Sequence, residues 1–220
     1  MWPASFWEKY EFFIRHSAGL GKSPTEKDPD IYDHRNIHCD VLVVGAGISG
    51  ILAAKNAAKN NLKTLLIEEK NELGGATIYQ NREFNKIANQ SSSDWIKKEI
   101  NELKNISNLE VKTRTSVAAY HGYNYLLARE NLTDHLEKKD KNNKIRQRLL
   151  KIRAKKVILA TGALERPLVF NNNDRPGIIL STAVKKYADF FGVKCGEKNV
   201  FFTNNDSAYE SALCLHNKGI

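Results

Sequence analysis

Three glycines and one carboxylate carry the first chemistry the sequence offers. Gly45, Gly47 and Gly50 stand in the run Gly-Ala-Gly-Ile-Ser-Gly, and Glu68 follows 18 residues beyond Gly50. Residue types in this spacing suit an adenine dinucleotide. Gly45 permits a tight turn off a strand. Gly47 has no Cβ, so backbone can approach a pyrophosphate. Gly50 lets a helix pack close to that strand. Glu68 is placed to accept from a ribose hydroxyl, and its charge disfavours a 2′-phosphate. A bare glycine pattern says little; its context has to supply the rest.

That context is present. Val41 to Val44 is an apolar run ending at the glycines, a helix-forming segment follows, and a second apolar run, Thr64 to Ile67, ends in Glu68 and Glu69. Strand, turn, helix, strand and acid therefore stand in register, and the helix N-terminus offers unpaired N–H groups to phosphate. Further on, Asn71-Glu72-Leu73-Gly74-Gly75 supplies a small-residue passage of the kind that lets backbone pass close to a cofactor. A second apolar strand, Lys156 to Gly162, ends in Ala160-Thr161-Gly162, a small-residue tip able to abut the cofactor.

Composition narrows the class. The chain has 220 residues, 41% hydrophobic, enough for a buried core, with a net charge of +9. No apolar run reaches the roughly 18 residues that span a membrane. The start lacks a signal-peptide pattern, and the expected location is cytoplasmic. Lys138 to Lys156 holds ten basic residues and one acid, Asp140, and reads as a solvated hairpin. No aromatic interleaving or nucleic-acid motif accompanies it, which argues against nucleic-acid binding. Cys39, Cys195 and Cys214 form no CxxC, so no redox-active disulfide is encoded, and Cys39 is expected to pack as a small apolar residue.

The remaining stretches set the organisation. Six aromatics lie within the first 13 residues: Trp2, Phe6, Trp7, Tyr10, Phe12 and Phe13. Phe6, Tyr10 and Phe13 share one face of a helix that Ala18 to Gly21 breaks, a face that docks either on this chain's core or on a partner. Residues 22–38, with Pro24 and Pro29, read as a linker. Asp33, His34, His38 and Asp40 resemble a metal cluster, but the two histidines share a face only in a helix, and a capped turn entering a strand is the expectation. Ser91 to Asp94 signals a helix start, with Ile96, Ile100 and Leu103 on its apolar face, and Leu109 to Thr115 reads as a strand. Tyr120 to Arg129 and Ile145 to Arg153 read as a small antiparallel insertion; His121 and His135 are taken as turn or surface residues. Glu165-Arg166-Pro167 and Asn173 to Gly177 predict turns, and Ser181 and Thr182 cap a helix running to about Phe191. Lys198 to Thr203 and Ser207 to His216 look like a second βα unit, though Asp206 and the absence of glycine at its turn speak against a second nucleotide.

The expected fold class is α/β: a Rossmann-type, two-dinucleotide flavoprotein-like parallel sheet with a small antiparallel β insertion, then the start of a second nucleotide-type unit. The expected segments are residues 1–36, an aromatic helix and linker; 37–185, the dinucleotide-binding domain; and 186–220, an incomplete second Rossmann-like domain. A Rossmann half needs further strands to bury its helix, so the sequence is expected to be a fragment or a truncated product.

Several longer motifs together resemble one family. These are MWPxxxWEKYEFFIRHSAGLG, YDHRNIHCDVLVVGAGISG, ELGG, KIRAKKVILATGALERPLVF, NDRPG and TNNDSAY. They resemble the alpha subunit of heterotetrameric sarcosine oxidase over nearly the whole chain. The resemblance implies a complex that oxidatively demethylates sarcosine to glycine with hydrogen peroxide and passes the one-carbon unit to tetrahydrofolate. It implies beta, gamma and delta subunits as partners, FAD in the beta subunit, FMN at the alpha–beta boundary and NAD on the alpha subunit. By position it places Ser49, Glu68, Glu69 and Lys70 along the NAD, with Gly45, Gly47, Gly50, Gly75, Thr161 and Gly162 close by. Val117 is carried to the adenine end, and Ala76 stands where the family often has a Thr, losing a side-chain hydrogen bond. The family's preceding β-grasp segment and its folate domain do not appear in the sequence, so the chain alone is not expected to oxidise sarcosine. No catalytic residue and no metal ligand emerges. Two other readings stay open: an FAD-binding pyridine-nucleotide-type oxidoreductase, acting on another secondary amine, and a non-catalytic scaffold subunit.

Overall fold

A computed structural model of the chain describes residues 4–21, 25–79, 86–137 and 144–220. Trp2 and the MWP motif, Pro24, and Lys138 to Asn143 of the basic run lie outside the described residues. The chain divides into two compact units, Met1–Ile31 and Tyr32–Ile220.

The first unit contains a 3-10 turn, Ala4–Phe6, and helix α1, Trp7–Ser17. Of the predicted aromatic face, Phe6 and Tyr10 meet with rings 6.4 Å apart, while Phe13 meets its neighbour Phe12 edge-on at 5.7 Å. The helix ends at Ala18, and Gly19 at φ +67° turns the chain away. No residue of α1 is buried, and Phe13 is 67% exposed.

The second unit is built on a six-stranded sheet ordered β5-β2-β1-β8-β7-β6. The strands are β1 Ile31–Val44, β2 Thr64–Ile67, β5 Leu109–Lys112, β6 Thr115–His121, β7 Tyr125–Asn131 and β8 Ile145–Leu159. β1, β2 and β5 run parallel, with Val41 opposite Thr64 and Thr64 opposite Leu109. Asp33 pairs with Arg148, Asp40 with Lys155, and the Ala160 amide bonds the Val44 carbonyl, so β1 and β8 advance together and are parallel too. β8, β7 and β6 then form an antiparallel meander. A separate short ribbon pairs β3, Lys86–Ile87, with β4, Gln90–Ser91. The α/β sheet with an antiparallel insertion is thus as expected.

Two cores lie on the two faces of this sheet. On one face, α2 (Ile48–Lys59) and α3 (Ser92–Leu103) cover Val41, Val43 and Leu66 with Ile51, Ala54, Ile96 and Leu103. Lys55 of α2 joins the helices by pairing with Glu99 and Glu102 of α3 at 2.5 Å each. Ser91 caps α3 by accepting from the Asp94 amide at 3.2 Å, as its sequence signal predicts. On the other face the meander curls back over the parallel strands. Leu126, Ala128, Leu150 and Ile152 pack there on Cys39, Leu42, Leu65 and Ile67. The curl is closed at one end by backbone: the Thr115 amide donates to the Glu68 carbonyl and the Arg114 amide to the Lys70 carbonyl, both at 2.8 Å.

Four sequence expectations change. Residues 31–38 are not linker but the first half of β1, because β8 lies beside them and Arg148 holds Asp33 at 2.9 Å. Ile145 to Arg153 and the strand at Lys156 are one continuous 15-residue β8. Tyr120 to Arg129 is broken at Gly122–Asn124, where Tyr123 and Asn124 take φ of 59° and 52°, turning β6 into β7. Lys198 to Thr203 forms no ladder: a strand needs a hydrogen-bonded neighbour, and Val200 and Phe202 are 94% and 68% exposed. The predicted helices on either side of it do form. They are α4, Ser181–Asp189, and α5, Ser207–Asn217, packed through Val184, Ala188 and Leu215 with a Lys185–Glu210 ion pair.

The described part of the basic run is in good part exposed, as expected, but several of its cations are also paired. Arg146 meets Asp134, Arg148 meets Asp33 and Glu130, Lys155 meets Asp40, and Arg153 lies 4.6 Å over the Tyr125 ring. Asp33 and Asp40 are thereby committed to cations. The Arg148 hydrogen bond holds the Asp33 carboxyl below its usual range, and Lys155 does the same for Asp40. Among the described residues no group of three or more His, Cys, Asp and Glu is placed to hold a metal ion. Also among them, no helix is long and apolar enough to cross a membrane.

Candidate dinucleotide-binding site

The chain leaves β1 at Gly45 with φ +96°, a conformation that favours glycine. A Cβ at Gly45 would lie 2.4 Å from the Ala160 carbonyl oxygen. The tip of β8 therefore sits directly on the turn. A Cβ at Gly50 would meet the Gly45 carbonyl oxygen at 1.8 Å, so α2 begins hard against the strand it leaves. On the other side the Gly74 amide donates to the Ala46 carbonyl at 2.7 Å, and a Cβ at Gly75 would come to 3.0 Å from the Gly47 Cα. Packing within the chain accounts for each of these glycines.

Gly47 is different. Its φ of −71° and ψ of −173° are open to any residue, and a Cβ built there meets nothing within 4 Å. Among the described residues no contact requires glycine at this position. It is the N-cap of α2 and brings no side-chain cap, and the helix has no acid in its first turn. The first amides of α2 thus open onto the space beside Gly47 with a favourable field for an anion. A pyrophosphate fits that combination of empty volume and unpaired donors.

Glu68 completes the turn. Its side chain is 6% exposed, one carboxylate oxygen accepts from the Ala46 amide at 2.7 Å, and the other accepts from the Lys70 amide at 3.0 Å. The expected ribose acceptor is therefore first a latch between the ends of β1 and β2. Each carboxylate oxygen keeps a second lone pair, so a hydroxyl can still be accepted.

The predicted residues fall around one edge of the sheet. Ser49 is exposed on the first turn of α2, and Glu69 and Lys70 are exposed just beyond Glu68. Ala76 is exposed in the 3-10 turn Gly75–Tyr79. Thr161 and Gly162 are exposed past the end of β8, with Gly162 at φ +71°. Val117 lies two residues beyond Thr115, which bonds Glu68, but its side chain packs into the core beneath the sheet. Val117 is partly buried, and a bulge interrupts the pairing of β6 between Val117 and Ala119.

Two contributors take roles that the sequence did not assign them. Ala160 is the wall against Gly45 and Gly50. Glu165 caps α4 from a distance: its carboxylate accepts from the amides of Ser181 and Thr182 at 3.2 and 2.9 Å and from their hydroxyls at 2.9 and 2.6 Å. This ties the loop leaving the β8 tip to the next helix. Partial burial acts to raise the Glu165 pKa, but the Thr182 and Ser181 hydrogen bonds outweigh it and hold the carboxyl below its ordinary range.

A glycine turn on a parallel sheet, a carboxylate latch and a small-residue strand tip together define a dinucleotide-type oxidoreductase domain. Residues 40–162 match the FAD dependent oxidoreductase family, and the chain belongs to that family. More particularly, it is similar to the sarcosine oxidase subunit alpha of Rhizobium meliloti, 38% identical over 221 residues, covering 100% of this chain and 22% of that protein. It is also similar to the sarcosine oxidase subunit alpha of a Corynebacterium species, 41% identical over 191 residues, covering 87% of this chain and 20% of that protein. The chain thus spans about a fifth of the length of these relatives. Among solved structures, L-proline dehydrogenase from P. horikoshii shares the fold with a TM-score of 0.66 and 24% identity, over 90% of this chain and 37% of that one.

Proposed function

We propose that this chain is the nucleotide-holding part of a sarcosine-oxidase-like alpha subunit, with an adenine dinucleotide seated on Gly45–Gly50. The observation that carries the reading is Gly47, whose missing side chain answers to no contact among the described residues. In this reading the α2 amides bind the pyrophosphate, Glu68 orients the ribose, Glu69 and Lys70 flank it, and backbone near Val117 meets the adenine. Gly75, Ala76, Thr161 and Gly162 line the other sides. Residues 37–185, with the start of β1 that the structure adds to the sheet, form the binding domain, and the aromatic stretch before it and the last helix after it are accessory.

NAD is the dinucleotide that the likeness to alpha subunits supports, held without chemistry in this chain. A second reading, FAD on the same turn, is favoured by the family match over residues 40–162. In this second reading the bound flavin would supply hydride-transfer chemistry that no side chain of the site provides. The wider activity we propose is oxidative demethylation of sarcosine or another secondary amine, with hydrogen peroxide formed and the one-carbon unit passed to tetrahydrofolate. It requires beta, gamma and delta partners carrying FAD and shared FMN. The test is calorimetric titration of the chain with NAD and with FAD, beside mass spectrometry of any nucleotide released on denaturation. Saturable NAD binding is expected. Binding of FAD alone replaces the first reading by the second, and binding of neither overturns both.

A further inference from the structure

At the pole of the sheet opposite the glycine turn, the curl leaves an open mouth. A cavity of about 380 Å³ lies there, with Arg35, Ile37, Lys63, Glu110, Lys112 and Leu150 in its lining. The alternation of strands explains this gathering. Arg35 and Ile37 are in phase with Cys39 of the inner core, and Lys63 enters β2 in phase with Leu65 and Ile67. Glu110 and Lys112 alternate with Leu109 and Val111, which pack on the helix-covered face. β1, the entry to β2, and β5 thus point charged side chains inward over a floor made by Ile37 and by the fully buried Leu150 of β8.

The charges in the mouth are not all spoken for. Lys112 is held by Glu110 at 3.2 Å and by Glu130 at 2.9 Å. Among the described residues Arg35 pairs with Asp33 alone, at 3.5 Å, and Asp33 is held more closely by Arg148 at 2.9 Å. Among the described residues Lys63 forms no side-chain ion pair; its backbone amide donates to the Asp40 carboxylate, its carbonyl accepts from the Asp40 amide, and its charge helps hold the Asp40 carboxyl below its usual range. Two cations with donors to spare therefore stand beside an apolar floor. The cavity is in the size range of small-ligand sites, which favour the mouths of curled sheets.

We infer that this mouth is a second binding site, separate from the dinucleotide turn, for a small carboxylate. The carboxylate takes the Arg35 fork and the Lys63 ammonium, and a short apolar body lies on Ile37 and Leu150. An arginine fork matches two carboxylate oxygens at once, whereas an amine meets repulsion from both cations.

The test titrates the intact chain with sodium propionate at constant ionic strength, following amide NMR shifts. Sodium chloride, inorganic phosphate and propylammonium chloride serve as controls. Saturable shifts are expected at residues 35–38, 63 and 110–112, with none from propylammonium. Arg35→Gln changes a side chain that is 61% exposed, so the fold should persist, which circular dichroism checks. It should weaken propionate binding about tenfold, the loss expected for a charge-assisted hydrogen bond, and Lys63→Gln should weaken it by a similar factor. Shifts that never saturate, that chloride reproduces, or that survive both substitutions overturn the site. Tighter binding of phosphate than of propionate overturns the assignment to carboxylates.

Discussion

Replacing Gly47 by alanine separates a glycine kept for a ligand from glycines kept for the fold. At Gly47 the backbone already suits alanine, and the new methyl meets nothing within 4 Å. Alanine is a poorer N-cap than glycine, but it also reduces the entropy of the unfolded chain. The two effects are each about 0.5–1 kcal/mol and opposite in sign, so stability should change by less than about 0.5 kcal/mol. Gly45→Ala is the contrast. It places a Cβ at φ +96° and 2.4 Å from the Ala160 oxygen. Left-handed strain of about 1–2 kcal/mol plus overpacking of similar size should lower stability by about 3 kcal/mol. Urea unfolding followed by circular dichroism measures both. For binding, the Gly47 methyl fills the space assigned to the pyrophosphate. An overpacking cost of about 1–3 kcal/mol should weaken dinucleotide binding by about 10- to 100-fold in calorimetry. Unchanged affinity in a stably folded Gly47→Ala protein refutes the placement of the pyrophosphate. A stability loss as large as that of Gly45→Ala refutes the claim that the fold leaves this position open.

Glu165→Gln should lower stability by about 1 kcal/mol, the usual value of a helix cap, because an amide nitrogen cannot accept from Thr182. Glu165 has its folded pKa depressed, so the difference from the unsubstituted chain is fully present above the ordinary carboxyl pKa and vanishes as pH falls through the depressed value. A pH series of thermal melts on both proteins checks this, and a difference that grows on acidification counts against it. Arg148→Ala should cost about 3 kcal/mol, since Glu130, 8% exposed, loses one of its two cations. Equilibrium unfolding at neutral pH measures that loss, and a change below about 1 kcal/mol would argue against a buried network. Thiol labelling of the native chain at neutral pH should modify Cys195 and spare Cys39 and Cys214, whose thiols burial pushes up to about 11. All three should react after denaturation, and rapid native labelling of Cys39 would contradict its place in the core.

The glycine turn was legible because its requirements are local. A strand, a turn that needs glycine, a helix start and an acid at the next strand end all sit within about 30 residues, and each has its own residue signature. The same holds for the Ser91 cap and for the end of α1 at Ala18 and Gly19. What stayed hidden depends on partners distant in sequence. Residues 31–38 look like a polar linker until Arg148 and the rest of β8 stand beside them. The latch role of Glu68 depends on where Ala46 and Lys70 fall in space, and the cap from Glu165 spans 16 residues with no periodicity to announce it. Lys198 to Thr203 failed in the other direction: its alternation suits a strand, but among the described residues no neighbour supplies a ladder.

The long β8 strand also fixes an order of events. Gly45 is synthesised well before its wall, Ala160, and the first half of β1 waits for Arg148. These pairings span more than 100 residues of chain. Contacts of such separation form slowly and late. On a ribosome adding about 5–20 residues per second, the glycine turn would wait several seconds for its far wall. Until then the apolar strand Val41–Val44 has an unpaired edge. A holdase or a slow-translating stretch acting in that interval would influence yield more than any change to the finished site.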